Sequence, residues 1–390
     1  MAATNARPAQ RRRSLQAPWS AVIGLVLLTA CSSDHLIGSA GFVASSSFDP
    51  QLAGLREPVF STGDLDGDQR EDVAILDAQS GRLCLLWGEA DGWSAPACQT
   101  LPTDDAVRQV AVARLVADGR AQLVLLGRDL QLFPPLLRGP LPSPRFQRAL
   151  ASPVLQLRTS SLPVTRPSDG RTVDVLWTTH GTPQPKVSAW FATASPDQTS
   201  ALDLQPVDQP LGTAPTAFVA HASAQGQREL FVATQSGIDA WSSDGRMQPL
   251  PCAADVAHSV DLAVVDVTQD SRSDVLALRA DGRLAVIQRP PRDGSPDWSC
   301  AATAPLPGQT WTALLPADFD GDGRTDVLGV SANRDPGAVL WRSGQTTPAY
   351  PQPLPVQAAA LMHTRSGSRP DVLLLLRDGS LQRLRNHFLP

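Results

Sequence analysis

The 390-residue sequence predicts an all-β fold built from seven copies of one four-stranded antiparallel unit. Three observations carry that expectation: an acidic or amide residue that recurs at the head of an apolar strand, hairpin dipeptides that follow it, and an abundance of helix-breaking residues. The recurring residue opens Asp72-Val73, Gln122-Leu123, Asp174-Val175, Glu229-Leu230, Asp274-Val275, Asp326-Val327 and Asp371-Val372. Neighbouring anchors stand 50, 52, 55, 45, 52 and 45 residues apart, the length of four short strands with their turns. Before each anchor runs a shorter apolar stretch, such as Val110 to Ala113. After it come a turn and a third strand. Asp281-Gly282, Asp378-Gly379, Ser80-Gly81 and Ser236-Gly237 fall at that turn and are hairpin signals. Thirty-five prolines and 28 glycines between short β runs argue against long helices.

The third strand ends on an aromatic residue in four units, at Trp87, Trp190, Trp241 and Trp341, with Phe133, Ile287 and Leu384 as equivalents elsewhere. A residue repeated at one framework position is expected to pack between adjacent sheets rather than to stack on a sugar.

Two of the loops that precede an anchor carry chemistry. Asp64-Leu-Asp66-Gly67-Asp68-Gln-Arg70-Glu-Asp72 and Asp318-Phe-Asp320-Gly321-Asp322-Gly-Arg324-Thr-Asp326 set aspartates at positions one, three, five and nine around a glycine. Calcium takes six to eight hard oxygen ligands, and alternate carboxylates of one tight loop supply most of them, with the backbone carbonyls of Arg70 and Arg324 in the remaining slot. Four carboxylates so close repel one another, so a bound cation is expected to order the loop and steady the flanking strands. The helix flanks and the twelfth-position glutamate of an EF-hand are missing. A third loop, with Asp266, Thr268, Asp270 and Asp274, lacks one carboxylate and the glycine, and predicts a weaker site. The unit around Arg114, Asp118 and Gln122 has lost nearly all such ligands, and the units ending at Asp174, Glu229 and Asp371 have no alternating carboxylates.

The stretch from Phe60 through Gly63-Asp64-Leu-Asp66-Gly67-Asp68 to Asp72-Val73 resembles the FG-GAP or VCBS-type repeat of integrin-alpha-like β-propellers, and Asp318 to Asp326 resembles it equally. The resemblance implies calcium in these loops and a seven-bladed propeller with one blade per repeat. The last unit ends at Pro390 without a fourth strand, while Ile37 to Ser46 is an extended segment with no unit of its own. That segment is expected to complete the last blade and close the ring.

The chain opens with Arg7, Arg11, Arg12 and Arg13, an apolar run from Ala21 to Ala30, and Leu28-Thr29-Ala30-Cys31. The run is too short to span a bilayer and reads as an export signal. Arg12-Arg13-Ser-Leu15 also admits a twin-arginine reading. The tetrapeptide resembles a bacterial lipobox, which implies cleavage before Cys31, its acylation, and a membrane anchor; Ser32 resembles the residue that directs lipoproteins to an outer membrane. The expected organisation is a leader over residues 1–30, a tether over 31–35 and the propeller over 36–390. Beyond the lipidated cysteine, Cys84 and Cys98 are placed to face each other across a hairpin, while Cys252 and Cys300 sit at similar points of successive units, a spacing that leaves their bonding open.

Removing the four leader arginines takes the formal charge from −5 to −9, which argues against a nucleic-acid surface. The sequence contains no Gly-x-Ser-x-Gly, His-Glu-x-x-His or phosphate loop. Six histidines lie in unrelated settings, although His221 and His363 precede their anchors at comparable points; Lys186 is the only lysine. The expected function is a noncatalytic, lipid-anchored binding or scaffold module of the bacterial cell envelope that holds a protein or glycan. The rival is an exported polysaccharide lyase or hydrolase with its acid and base at the mouth of the central channel.

Overall fold

The computed structural model describes residues 35–37, 42–48, 52–90, 92–102, 106–115, 120–150, 154–162, 173–181, 183–193, 203–222, 228–242, 247–266, 270, 272–279, 281, 283–290, 298–301, 311–319, 321, 326–331, 338–342, 345–350, 356–362 and 369–386. The leader, the tether residues before His35, and Cys31 lie outside them.

Six sheets have four antiparallel strands each, and every one starts at its innermost strand and works outward. The first blade comprises Pro58–Gly63, Asp72–Asp77, Arg82–Leu86 and Ala97–Thr100. Residues 109–149, 154–210, 215–249, 259–301 and 311–350 form the second to sixth blades in the same order. Each of the seven anchors lies on the second strand of its sheet. Those strands are apolar runs because neighbours cover both of their faces: Asp72–Asp77 and Gln122–Leu126 are buried at every position. Outer strands are more exposed: Phe146–Ala149 alternates between half-buried and exposed, and Met247–Pro249 is exposed throughout.

Cores form between blades rather than inside them. Leu65, Leu85 and Trp87 of the first blade pack with Val110, Leu123 and Phe133 of the second, and Ala217 and Phe231 of the fourth pack with Val275 and Ile287 of the fifth. The third-strand aromatic is therefore structural, with Trp87, Trp190, Trp241, Phe133, Ile287 and Leu384 all buried. The side chain of Trp341 lies outside the described residues. Gly81 and Gly379 turn their hairpins with φ of 66° and 85°, a backbone region that glycine enters freely.

The first strands touch in succession from the first blade to the sixth, on to Val356–Met362, and back to the first blade. This is an all-β propeller of four-stranded antiparallel blades. A five-stranded sheet joins the two ends of the described chain. Val356–Met362, Asp371–Leu376 and Ser380–Asn386 are followed by Phe42–Phe48, whose seven residues pair antiparallel with Asn386 back to Ser380, and then by His35–Ile37. The sequence predicts one strand here, giving four. Two are present, giving five, because the segment extends beyond one strand length and in sequence Gly38 and Gly41 divide it. His35, expected in the tether, begins the outer of the two. The chain then runs through Leu52 and Leu55, which are buried with Leu373, Leu375 and Leu381 on one side and Val73 and Ile75 on the other. Gln357 donates to the Leu55 carbonyl at 3.1 Å. This segment is thus wedged at the seam where the ring closes.

Candidate metal centre

In the first blade the acidic loop leaves the first strand at Asp64 and returns at Asp72. Left-handed backbone at Gly67 (φ 84°) and Gln69 (φ 68°) curls it, so that carboxylates meet amides of their own loop. Asp64 accepts from the Gly67 and Gln69 amides at 2.7 and 3.0 Å, and Asp66 from that of Asp68 at 3.1 Å. Carboxylate oxygens of Asp64, Asp66 and Asp72 converge within 4.8 Å of one another. The Asp72 carboxyl is raised to about 6, chiefly by burial and further by the Asp66 charge, against the opposing pull of the Gly88 and Leu65 amides. Three hard oxygen donors in one small volume fit a calcium-type cation, whose charge would favour the ionised Asp72.

Asp68 stands outside that cluster. One of its oxygens accepts the Arg70 amide at 2.9 Å, and the other faces Arg138 at 3.4 Å. Arg138 belongs to the second blade, beyond its third strand. Its guanidinium also donates to Asp66 at 3.1 Å and to the Gly88 carbonyl at 3.3 Å. Arg70, expected to offer its carbonyl, has its guanidinium 3.7 Å from Asp68. Sequence reasoning missed Arg138, which lies in a proline-rich turn with no periodic signal.

The second acidic loop repeats these bonds wherever it is described. The Gly321 amide donates to Asp318 at 2.6 Å and the Phe319 amide to Asp326 at 3.2 Å, matching Gly67 to Asp64 and Leu65 to Asp72. Asp320, Asp322 and Arg324 lie outside the described residues. In the third loop Asp266 accepts the Asp270 amide at 3.2 Å and Asp270 the Arg272 amide at 2.9 Å; Thr268 is outside the described residues.

Asp72 forms a clamp, and four other anchors hold one arm of it. One oxygen of Asp72 accepts the Leu65 amide at 2.7 Å and the other the Gly88 amide at 2.7 Å, tying the loop before the second strand to the residue after the third. Gln122 and Asp326 hold the first arm, through Leu115 and Phe319. Asp274 and Asp371 hold the second, through the amides of Arg289 and Asn386 at 2.8 and 2.7 Å. Where alternating carboxylates are lacking, arginine supplies the charge. Arg383 pairs with Asp371 at 2.6 Å, and Arg289 of the fifth blade pairs with Glu229 of the fourth while stacking on Trp298.

Both remaining cysteine pairs are bonded. Cys84 and Cys98 are directly opposed in adjacent strands. Cys252 and Cys300, whose bonding the sequence left open, are joined because Cys252 lies beyond the outer strand of the fourth blade. It begins a four-residue helix, Ala253–Val256, on the crossing to the fifth blade, and its Cα comes 6.1 Å from that of Cys300. Two disulfides point to an extracytoplasmic location.

The channel-side strands carry a locked ion pair. Arg158 of the third blade reaches Asp261 of the fifth at 2.7 Å, and the other Asp261 oxygen accepts the Leu314 amide of the sixth at 2.9 Å. His221 lies 2.9 Å from the Ser273 hydroxyl, and burial holds its imidazole below the usual range; His363 is outside the described residues. A polar cleft of about 740 Å³ opens where the first blade meets the terminal sheet, lined by Arg70, Glu71, Glu89, Met362, Arg383 and Arg385.

The comparison with known sequences falls on the same loops. Residues 266–329 match the FG-GAP-like repeat. That span runs from the third acidic loop through the second and includes the anchors Asp274 and Asp326. No curated protein matches the chain. Among solved structures, the chain is similar to BBS1N in its complex with ARL6DN, with 14% identity over 89% of this chain and 97% of that one and a TM-score of 0.61. It is also similar to virginiamycin B lyase from Staphylococcus aureus, with 11% identity over 88% and 99% of the two chains and a TM-score of 0.55. At such identities the likeness is one of fold.

Proposed function

We propose that the chain is a calcium-stabilised, seven-bladed binding or scaffold propeller, held by a lipid on Cys31 at the outer membrane of a bacterial envelope. The terminal sheet counts as the seventh blade. The observation that carries the reading is the convergence of Asp64, Asp66 and Asp72 at a blade corner, in a loop curled by amide bonds to its own carboxylates. Calcium there, and at Asp318 to Asp326, would stiffen one face of the ring, leaving its loops and the polar cleft to hold a protein or glycan. A structure of the same fold is titled as a complex with a protein partner, and another as a lyase. The binding reading is favoured because the channel's Arg158 and Asp261 are engaged with each other and with backbone, which suits a packing role better than acid–base chemistry.

Two experiments test it. Saturating calcium is expected to raise the thermal midpoint over that in chelator by about 2–4 °C for each occupied site, since a site of roughly 0.1–1 mM filled at about 10 mM contributes about 1.4–2.7 kcal/mol. Asp64→Asn combined with Asp66→Asn should remove the first loop's share of the shift and leave that of the loop from Asp318 to Asp326; an identical melt of the unaltered chain in calcium and chelator would refute the metal. Expressed with its leader, the chain should fractionate with membranes and take up labelled palmitate, and Cys31→Ser should release it, whereas a Cys31→Ser chain that stays acylated and membrane-bound would remove the anchor.

A further inference from the structure

The acidic loops receive cations from the chain itself. Over the first loop, the Arg120 side chain of the second blade stands 3.0 Å from where a Cβ on Gly67 would lie, and Arg138 of the same blade bonds Asp66 and approaches Asp68. Over the second loop, the Arg369 guanidinium of the terminal sheet occupies the corresponding place above Gly321, 2.5 Å from where its Cβ would lie. Arg120 and Arg369 hold one repeat position, two residues before the anchors Gln122 and Asp371. Glycine at the fourth loop position thus has two reasons, a positive φ of 84° or 77° and an arginine from the next blade lying on it. Backbone bonds fix the same junction, from the Ala121 amide to the Asp64 carbonyl at 3.0 Å and from the Leu136 amide to the Leu65 carbonyl at 3.1 Å.

We infer that these arginines are resident counter-cations of the preceding blade's acidic loop, and that Arg138 competes with a divalent cation for Asp66 and Asp68. The inference rests on the metal reading above. A guanidinium on Asp66 withdraws carboxylate charge from the cluster and repels a second cation a few ångströms away. It also draws Asp68 out of the ligand group, which accounts for three convergent carboxylates where four are spaced for it. Two states follow. With Arg138 engaged, the loop is neutralised by the second blade and the two blades are latched; with calcium bound, Asp68 is free to join the metal and the latch relaxes. Cation level would then set how firmly neighbouring blades are joined, through a coupling that is reciprocal by linkage.

The test compares the full chain with Arg138→Gln, measuring calcium binding by calorimetry and thermal midpoints in chelator and in calcium. Arg138→Gln should bind calcium about tenfold more tightly, the effect expected for removing one close like charge. It should also melt lower than the unaltered chain in chelator, with calcium closing the gap. Equal or weaker calcium binding by the variant would overturn the competition while leaving the metal reading intact. Binding by neither chain would sink the metal reading and the competition together. An unchanged melt in chelator would remove the latch as well.

Discussion

Removing residues 36–47 is expected to lower the thermal midpoint by about 7 °C or more and to promote self-association of the chain. Phe42–Phe48 pairs through seven residues with Ser380–Asn386, and His35–Ile37 pairs on its outer side. At roughly 0.5–1.5 kcal/mol net for each hydrogen bond, losing that ladder removes about 5 kcal/mol. A propeller shares its cores between neighbours, so the damage spreads. Leu381 packs with Leu52 and Leu55 at the seam with the first blade, and Leu384 packs with Leu328 and Val330 of the sixth. Freed of its partner, Ser380–Asn386 becomes an unprotected edge that invites pairing with a second chain. Calorimetry and light scattering on the shortened chain would read both effects. A melt within about 2 °C of the unaltered chain, with no change in mass, would show that the ring is held by inter-blade packing alone.

Such closure is legible in the sequence because the unit anchored at Asp371 shows only three strands and the extended segment from Ile37 to Ser46 belongs to no unit. The anchors are legible for a related reason. A side chain that accepts a backbone amide beside its strand is most readily an acid or an amide, so at five of the anchors the constraint recurs at one spacing with an acidic loop or without one. In an acidic loop the anchor reads as a metal ligand and elsewhere as a bare marker, and the clamp that joins both cases emerges only in three dimensions. Contacts between blades are not legible. Arg138 meets Asp66 across 72 residues and Arg289 meets Glu229 across 60, separations that nothing in the spacing of the anchors singles out. Arg120 and Arg369 do leave a trace, since arginine stands two residues before the anchor in five units, at Arg70, Arg120, Arg272, Arg324 and Arg369. Packing decides what such an arginine reaches, and the spacing is silent on that.

Replacing Asp72 separates the clamp from the metal. Asp72→Ala leaves the amides of Leu65 and Gly88 without acceptors at buried positions, and that of Asp66 at a partly buried one. A buried amide without a partner costs about 1–3 kcal/mol, so the expected loss is about 3–5 kcal/mol, present in chelator as well as in calcium. Asp72→Asn should fall between. Its one carbonyl oxygen keeps a single arm, as Gln122 does when it accepts only the Leu115 amide, while its NH2 group turns a donor toward another donor. Asp64→Asn is the control, because it removes a cluster carboxylate yet leaves the Leu65 and Gly88 amides satisfied. In chelator it should lose less than Asp72→Ala, because the Gly67 and Gln69 amides it serves are partly buried or exposed, and the first loop's share of the calcium stabilisation should vanish. Urea unfolding of the three variants with and without calcium reads all of this at once. If Asp72→Ala were as stable as the unaltered chain in chelator and weaker only in calcium, the anchor would be a ligand and nothing more. Its recurrence in blades that lack acidic loops would then have no cause in backbone clamping.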